Sequence, residues 1–253
     1  MISNDTNSPS GVGGALIFSA GLGTRFKPWT DTHPKALALV NGKSLLQRNI
    51  EYLQSFGIRD VVANVHHFAA QVEQAIVEND GWKSNVLVSD EREVVLETGG
   101  GLLKAKDLFI PGQPFVTCNA DILTNLDINK LIAFHKENKA LISFGVTNRQ
   151  SSRYLLFDES NRLCGWRNTK TGEERISIPK EGLIQKAYST VVVFEYDIFR
   201  LMEEKGFSGK FSLIDVYLSL AAEYLIMGYD HSGDKLVDVG KPESVAVAEA
   251  LFI

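Results

Sequence analysis

The residues best suited to gripping an anion sit together near the amino terminus. The apolar run Ala15-Leu16-Ile17-Phe18 is followed by Ser19-Ala20-Gly21-Leu22-Gly23-Thr24-Arg25-Phe26-Lys27-Pro28, and then by Pro34-Lys35. Four apolar residues stopped by small ones predict a buried strand whose end opens into exposed backbone amides. Glycine lets backbone approach phosphate closely, successive amides form a nest for negative charge, and Arg25 and Lys35 add two cations. Two familiar motifs fail on spacing. A dinucleotide fingerprint needs glycine where Phe26 stands, and a Walker A loop ending in Gly42-Lys43-Ser44 needs one where Leu37 stands. On its own residues the segment is a nucleotide loop of another kind or a glycine-rich turn with surface cations.

Two aspartates stand out further along. Phe115-Val116-Thr117-Cys118 reads as a buried strand that delivers Asn119-Ala120-Asp121, and an unpaired carboxylate at such a place is costly to desolvate, so Asp121 should bind something. Lys235 to Gly240 reads as a late strand that carries Asp238 at a buried position. Earlier in the chain, His66 and His67 follow another predicted strand. Adjacent side chains of an extended segment point to opposite sides, which argues against a shared metal and for a hydrogen-bonded structural role for His66.

The elements that must position these groups alternate between strand and helix. Ser44 and Gln47 have capping-box spacing ahead of a helix through Leu45, Leu46, Ile50 and Leu53 that stops at Gly57. A strand at Asp60 to Asn64 leads to a helix from about Phe68 to Val77, and Val86-Leu87-Val88 reads as a further strand. Glu97-Thr98-Gly99-Gly100-Gly101 opens a helix through Leu102, Leu103 and Leu108. Each glycine inside a helix costs about 1 kcal/mol, so the three are expected at its mouth. Leu131 to Glu137 and Leu141 to Val146 form a helix and a strand. From Tyr154 to Phe194 short alternating runs predict β-strands around an acceptor pocket, with Thr169 to Lys186 as a mobile flap. Asp197 to Met202 and Ser212 to Ala222 are expected helices, and Pro242 suits the first turn of a closing one.

The order and types of these residues resemble the sugar-1-phosphate nucleotidyltransferase family. The resemblance rests on Gly21 to Arg25 with Pro28, on Pro34-Lys35-Ala36-Leu37, on Asn41-Gly42-Lys43-Ser44, on Ala120-Asp121 and on Asp238-Val239-Gly240, with Leu96 to Gly101 closest to the N-acetylmuramate 1-phosphate uridylyltransferase branch. It spans about residues 13 to 252 and is thin from 150 to 186. It implies an α/β fold, a three-layer αβα sandwich with a mixed, mostly parallel Rossmann-like sheet. The implied organisation is a flexible tail at 1–13 and one domain at 14–253, with a nucleotide part at 14–148 and a sugar-phosphate part at 149–253.

The same resemblance implies residue roles. Ala20, Gly21, Leu22, Gly23, Thr24, Arg25 and Lys35 would hold the phosphates of a nucleoside triphosphate, UTP being favoured, and Thr98 and Gly99 would meet the base. Asp121 and Asp238 would hold Mg²⁺, making Arg25, Lys35, Asp121 and Asp238 the catalytic set. Asn119, Arg167 and Thr190 would face a sugar 1-phosphate; many relatives carry a Glu-Lys pair where this chain has Trp166-Arg167-Asn168. A mannose or heptose 1-phosphate guanylyltransferase is the alternative within enzymes, and an inactive nucleotide-sugar-binding regulator the alternative outside them. A glycosyltransferase would usually show an Asp-x-Asp motif, of which Asn119-Ala120-Asp121 has only the last member.

Composition limits the classes further. With 253 residues, 44% apolar and 23% charged, the chain has enough material for one large core. A net charge of -5 supplies no basic surplus for non-specific nucleic-acid binding. Cys118 and Cys164 are far apart in apolar contexts, which fits reduced thiols in the cytoplasm, and no apolar run is long enough for a membrane span. Monomer and homo-oligomer are both compatible with the sequence.

Overall fold

The computed structural model describes residues 11–252. Its strands in chain order are β1 (Ala15–Phe18), β2 (Leu39–Val40), β3 (Lys43–Ser44), β4 (Asp60–Val65), β5 (Asn85–Asp90), β6 (Phe115–Asn119) and β7 (Ile122–Thr124). There follow β8 (Ile142–Thr147), β9 (Arg153–Phe157), β10 (Leu163–Asn168), β11 (Glu174–Ile176), β12 (Ile184–Phe194), β13 (Ile226–Asp230) and β14 (Leu236–Asp238). The helices are α1 (Leu45–Ser55), α2 (Ala69–Glu78), α3 (Glu97–Lys104), α4 (Ile128–Asn138), α5 (Ile198–Glu204), α6 (Leu213–Leu220) and α7 (Glu243–Leu251).

One large mixed sheet runs β11-β10-β9-β12-β6-β1-β4-β5, with β8 against β12 and β13 against β8. The nucleotide half, β6-β1-β4-β5, is parallel throughout, and its strands are nearly continuous apolar runs because helices cover both faces. Successive residues of β1 feed opposite cores. Leu16 joins a cluster with helices α3, α5 and α6, while Ala15 and Ile17 join one with α1, α2 and α4. This is the expected αβα sandwich. A third, smaller cluster matters for the site: Phe26, Val40, Leu45, Leu123, Val237, Val239 and Ala248 pin the loop after β1 to the β7–β14 pair and to α7.

Local signals set several boundaries. Ser44 caps α1 by accepting a hydrogen bond from the Gln47 amide at 3.1 Å, and Gly57 at φ 80 follows the helix end. Elsewhere packing overrides them. Gly99, Gly100 and Gly101 lie within α3 rather than at its mouth, since a Cβ at Gly100 would stand 2.1 Å from the Gly209 carbonyl oxygen and one at Gly99 2.4 Å from the Phe211 ring. The glycines let α3 close against the loop before α6. Gly100→Ala is expected to destabilise the fold by about 1–3 kcal/mol despite its better helix propensity, because backbone must move to admit the methyl; urea unfolding midpoints measure this, and an unchanged midpoint would contradict the contact.

Three other expectations are corrected. The segment Thr169 to Lys186 is not a free flap: β11 pairs antiparallel with β10, Gly165 opposite Ile176, and β12 begins at Ile184. Asp238 is exposed at the end of β14, not buried. Of the expected tail, residues 1–10 lie outside the described residues, whereas Val12 is buried and the Gly13 amide donates to the Pro114 carbonyl at 2.8 Å. Cys118 and Cys164 are unpaired and buried as expected, and burial pushes the Cys118 thiol up to about 12, which removes it as a nucleophile at neutral pH. Among the described residues no helix is long and apolar enough to cross a membrane.

Candidate active site

The carboxyl ends of β1, β4 and β6 meet along one edge of the parallel half, where open α/β sheets place their ligands. A cavity of about 330 Å³ opens there. Its walls include Ser19, Ala20 and Gly21 from the loop after β1, Lys35 and Ala36, Glu97 and Thr98 from the start of α3, and Asn119, Ala120 and Asp121 from the end of β6. The fold thus gathers Ala20, Gly21, Lys35, Thr98, Asn119 and Asp121 into one space, from segments up to a hundred residues apart.

The loop is held open by a network the sequence reading missed. Asn64 Oδ1, at the end of β4, accepts from the Ser19 amide at 2.6 Å and the Ala20 amide at 3.2 Å, and the Ser19 hydroxyl donates back to the Asn64 carbonyl. Asn64 Nδ2 in turn donates to Glu91 Oε1 at 2.7 Å, and Glu91 Oε2 accepts from the Leu96 amide at 3.2 Å. Both side chains are nearly inaccessible, at 2% and 1% exposure, so the network works where unmet polar groups are expensive. The Asn64-x-His66 pattern was the visible signal, but it drew attention to His66, whose Nδ1 lies 2.6 Å from the Glu91 carbonyl oxygen and serves the same segment. Asn64→Ala removes the partner of the Ser19 amide and of Glu91 Oε1 and is expected to cost about 2–3 kcal/mol by urea unfolding. A loss below a few tenths would show that the loop does not depend on it.

Gly23 adopts φ 60, and a Cβ there would sit 2.7 Å from Thr30 Cγ2, so the turn requires glycine. A Cβ at Gly21 would meet nothing within 4 Å, so packing does not require glycine there, although the residue lines the cavity. Leu22 is 46% exposed and Thr24 opens a 3-10 turn, and neither is among the residues that line the cavity.

Lys35 and Asp121 face each other directly, Nζ to Oδ2 at 2.5 Å, with the lysine side chain only 11% exposed. Asp238 comes close through backbone pairing. β14 runs antiparallel to β7 with Asp238 opposite Ile122, and the Val239 amide donates to the Asp121 carbonyl at 2.8 Å. Gly240 explains how the groups fit: a Cβ on it would stand 2.6 Å from Asp238 Oδ1 and 2.9 Å from Arg25 Nη2. Any larger residue would fill the gap between that carboxylate and that guanidinium.

Other expected site residues are placed elsewhere. Gly99 packs on Phe211, and its amide donates to the Phe211 carbonyl at 2.9 Å, so that group is not free to meet a base. The Thr98 hydroxyl accepts from the Leu213 amide at 3.1 Å and helps start α6, although the residue still borders the cavity. Arg167 is half-exposed and tied to Glu174 at 2.5 Å, because the β10–β11 pairing sets those two residues opposite each other. Thr190 lies in the irregular stretch of β12 between Tyr188 and Val192 at φ 63, and its buried hydroxyl has no partner.

A glycine-bearing loop on a parallel sheet, cations at its mouth, one carboxylate in the β6–β7 turn and another at the end of the adjoining β14 define an α/β enzyme that handles phosphorylated nucleotides. A model of the family described as nucleotidyl transferase matches residues 14–155. The chain belongs to that family, as a sugar-1-phosphate nucleotidyltransferase. It is 30% identical over 93% of its length, and 95% of the relative's, to an N-acetylmuramate alpha-1-phosphate uridylyltransferase of Caulobacter vibrioides. It is 27% identical over 94% of its length to a mannose-1-phosphate guanylyltransferase catalytic subunit beta of Drosophila pseudoobscura, 62% of which is covered. Among solved structures, HddC from Yersinia pseudotuberculosis superposes with a TM-score of 0.75 at 20% identity, covering 94% of this chain and 99% of that one. A UDP-glucose pyrophosphorylase complexed with UDP-glucose gives a TM-score of 0.71 at 17% identity, with coverage of 94% and 97%. At these identities the two structures speak for the fold.

Proposed function

We propose that the enzyme joins UTP to N-acetylmuramate 1-phosphate or a related sugar 1-phosphate, with Mg²⁺, releasing pyrophosphate and a nucleotide sugar for cell-wall synthesis in the cytoplasm. The observation that carries the reading is the convergence of the glycine loop, Lys35 and Asp121 in one cavity, with Arg25 and Asp238 flanking Gly240 at its side. The uridylyl and N-acetylmuramate parts rest on the Caulobacter relative and on Leu96 to Gly101.

The donor set suits the metal. Asp121, in the turn before β7, and Asp238, at the end of β14, are brought together by the β7–β14 pairing, and two carboxylates suit an ion that takes one or two protein carboxylates and completes its shell with phosphate oxygens and water. Asp121 and Asp238 would hold it. When bound, Mg²⁺ supplies neutralisation of charge on the reacting phosphates.

The chain's own groups do the rest. A phosphate monoester has a second pKa of about 6, so the acceptor oxygen that attacks the α-phosphorus is already ionised at neutral pH and needs no protein base. Arg25 presents a planar fork to triphosphate oxygens, and Lys35 a point charge beside Asp121. The Ala20 to Thr24 backbone orients the triphosphate, and Asn64 with Glu91 keeps that backbone in place. The reaction then depends on bringing two polyanions into line and steadying the charge between them.

The test is a pyrophosphate-release screen of the four nucleoside triphosphates against a panel of sugar 1-phosphates. Release with UTP and N-acetylmuramate 1-phosphate above all other pairs is the expected result. Release with GTP and mannose 1-phosphate instead would favour the second reading, which the Drosophila relative supports. No release with any pair would overturn both.

A further inference from the structure

The cavity has two ends, and the groups given roles so far serve one of them. The loop after β1, Lys35 beyond it, and Asp121 after β6 gather at strands that lie side by side. Another wall comes from the segment after β5, which supplies Val95, Glu97 and Thr98. In the sheet β5 stands two places from β1, on the side away from β6, about 10 Å at the usual strand spacing. A nucleoside triphosphate with its phosphates against Lys35 therefore has this second wall for its base.

Most polar groups of that wall are already engaged. Glu91 gives one carboxylate oxygen to Asn64 and the other to the Leu96 amide. The Gly99 and Gly100 amides donate to the Phe211 carbonyl, and the Thr98 hydroxyl accepts from the Leu213 amide. Glu97 is different. It lines the cavity, and its ion-pair partner Lys210 stands 3.6 Å away with both side chains about half exposed, too far for a hydrogen bond. The charge is compensated while the carboxylate lone pairs stay open to a ligand. The residue also sits at φ 58 as the first of α3, a left-handed conformation that glutamate rarely adopts. Glycine would take that backbone with less strain, so the turn itself does not call for the carboxylate.

Resting on the nucleotidyl-transfer reading above, we propose that Glu97 selects the nucleobase, its carboxylate accepting the imino N–H of a lactam base, uracil N3–H or guanine N1–H. Cytosine and adenine present an unprotonated ring nitrogen at the same place. Its lone pair would face a negative charge, and an ionised carboxylate has no hydrogen to give it. A site built around one hydrogen bond discriminates strongly against an analogue that cannot make it, because the site's own polar group is then left unmatched.

The test is titration calorimetry of the wild type, Glu97→Gln and Glu97→Ala with UTP, GTP, CTP, ATP and inorganic tripolyphosphate, in Mg²⁺ and without sugar phosphate. The wild type should bind UTP or GTP about 10- to 100-fold more tightly than CTP and ATP. The glutamine amide can donate to an unprotonated ring nitrogen, so Glu97→Gln should cut that ratio by about tenfold, and Glu97→Ala should lower it without tighter binding of CTP. Tripolyphosphate should bind all three proteins within about twofold. An unchanged ratio in Glu97→Gln, an equal loss for every nucleotide and tripolyphosphate alike, or a wild type that prefers CTP or ATP would overturn the assignment. Pyrophosphate release by the same proteins separates this from the function. Release whose base preference Glu97→Gln leaves intact overturns selection by Glu97 and keeps nucleotidyl transfer. No release, with the shift in nucleotide binding present, upholds Glu97 and sinks nucleotidyl transfer, and binding of no nucleotide at all removes both.

Discussion

Replacing Asp121 or Asp238 by asparagine is expected to lower kcat by about 10²- to 10³-fold while leaving the unfolding midpoint nearly unchanged. Asparagine keeps the shape of the side chain and removes its charge, and each charge is placed where two polyanions must meet. Neither aspartate contributes much to the fold. The Asp121 side chain is 29% exposed and its one ion pair, with Lys35, is partly wet; Asp238 is exposed. The double variant should be hardly slower than the worse single one, because two groups that hold one ion act as a unit. The measurement is steady-state pyrophosphate release across a Mg²⁺ titration, with urea unfolding as the control. Near-normal turnover in either single variant would remove the metal assignment.

Lys35→Ala should weaken use of the nucleoside triphosphate, lowering kcat/KM for it by about 10²-fold, with a much smaller effect on KM for the sugar phosphate. Lys35 lies against Asp121 at 2.5 Å and 5.9 Å from the centre of the Phe26 ring, with its side chain only 11% exposed. A cation so confined can serve the triphosphate without first paying to be ordered. Removing it also leaves Asp121 without its partner, so the variant should bind Mg²⁺ somewhat more tightly in the absence of nucleotide. Unchanged saturation by the triphosphate would tell against the role given to Lys35.

The two predictions differ in how far the sequence alone supported them. Asp121 stood out because a carboxylate just past a buried apolar run needs a partner, and the partner turned out to be Lys35, 86 residues away. Asp238 was singled out through resemblance, and its expected burial was wrong. The apolar neighbours Val237 and Val239 point into the small core with Leu123 and Phe26, so alternation along the strand turns Asp238 outward. The same apolar run that suggested a buried strand thus exposes the residue between them.

Arg167 and Arg149 show the limit more sharply. Arg167 lies within β10 and Arg149 just after β8, and nothing in their local sequence ranks one above the other. The antiparallel register of β10 and β11 sets Arg167 opposite Glu174, whereas no carboxylate faces Arg149 at ion-pair distance among the described residues.

Read by itself, the amino-acid sequence determined most of the strand-and-helix order, the Ser44 cap and the glycine-bearing turn after β1, since each depends on periodicity or chemistry within a few residues. Only the tertiary structure decided that three glycines lie inside α3, that Asn64 and Glu91 brace the loop, and that Arg167 pairs with Glu174. Those outcomes depend on contacts between residues tens of positions apart, where sheet register and close packing choose the partner and local pattern carries no record of the choice.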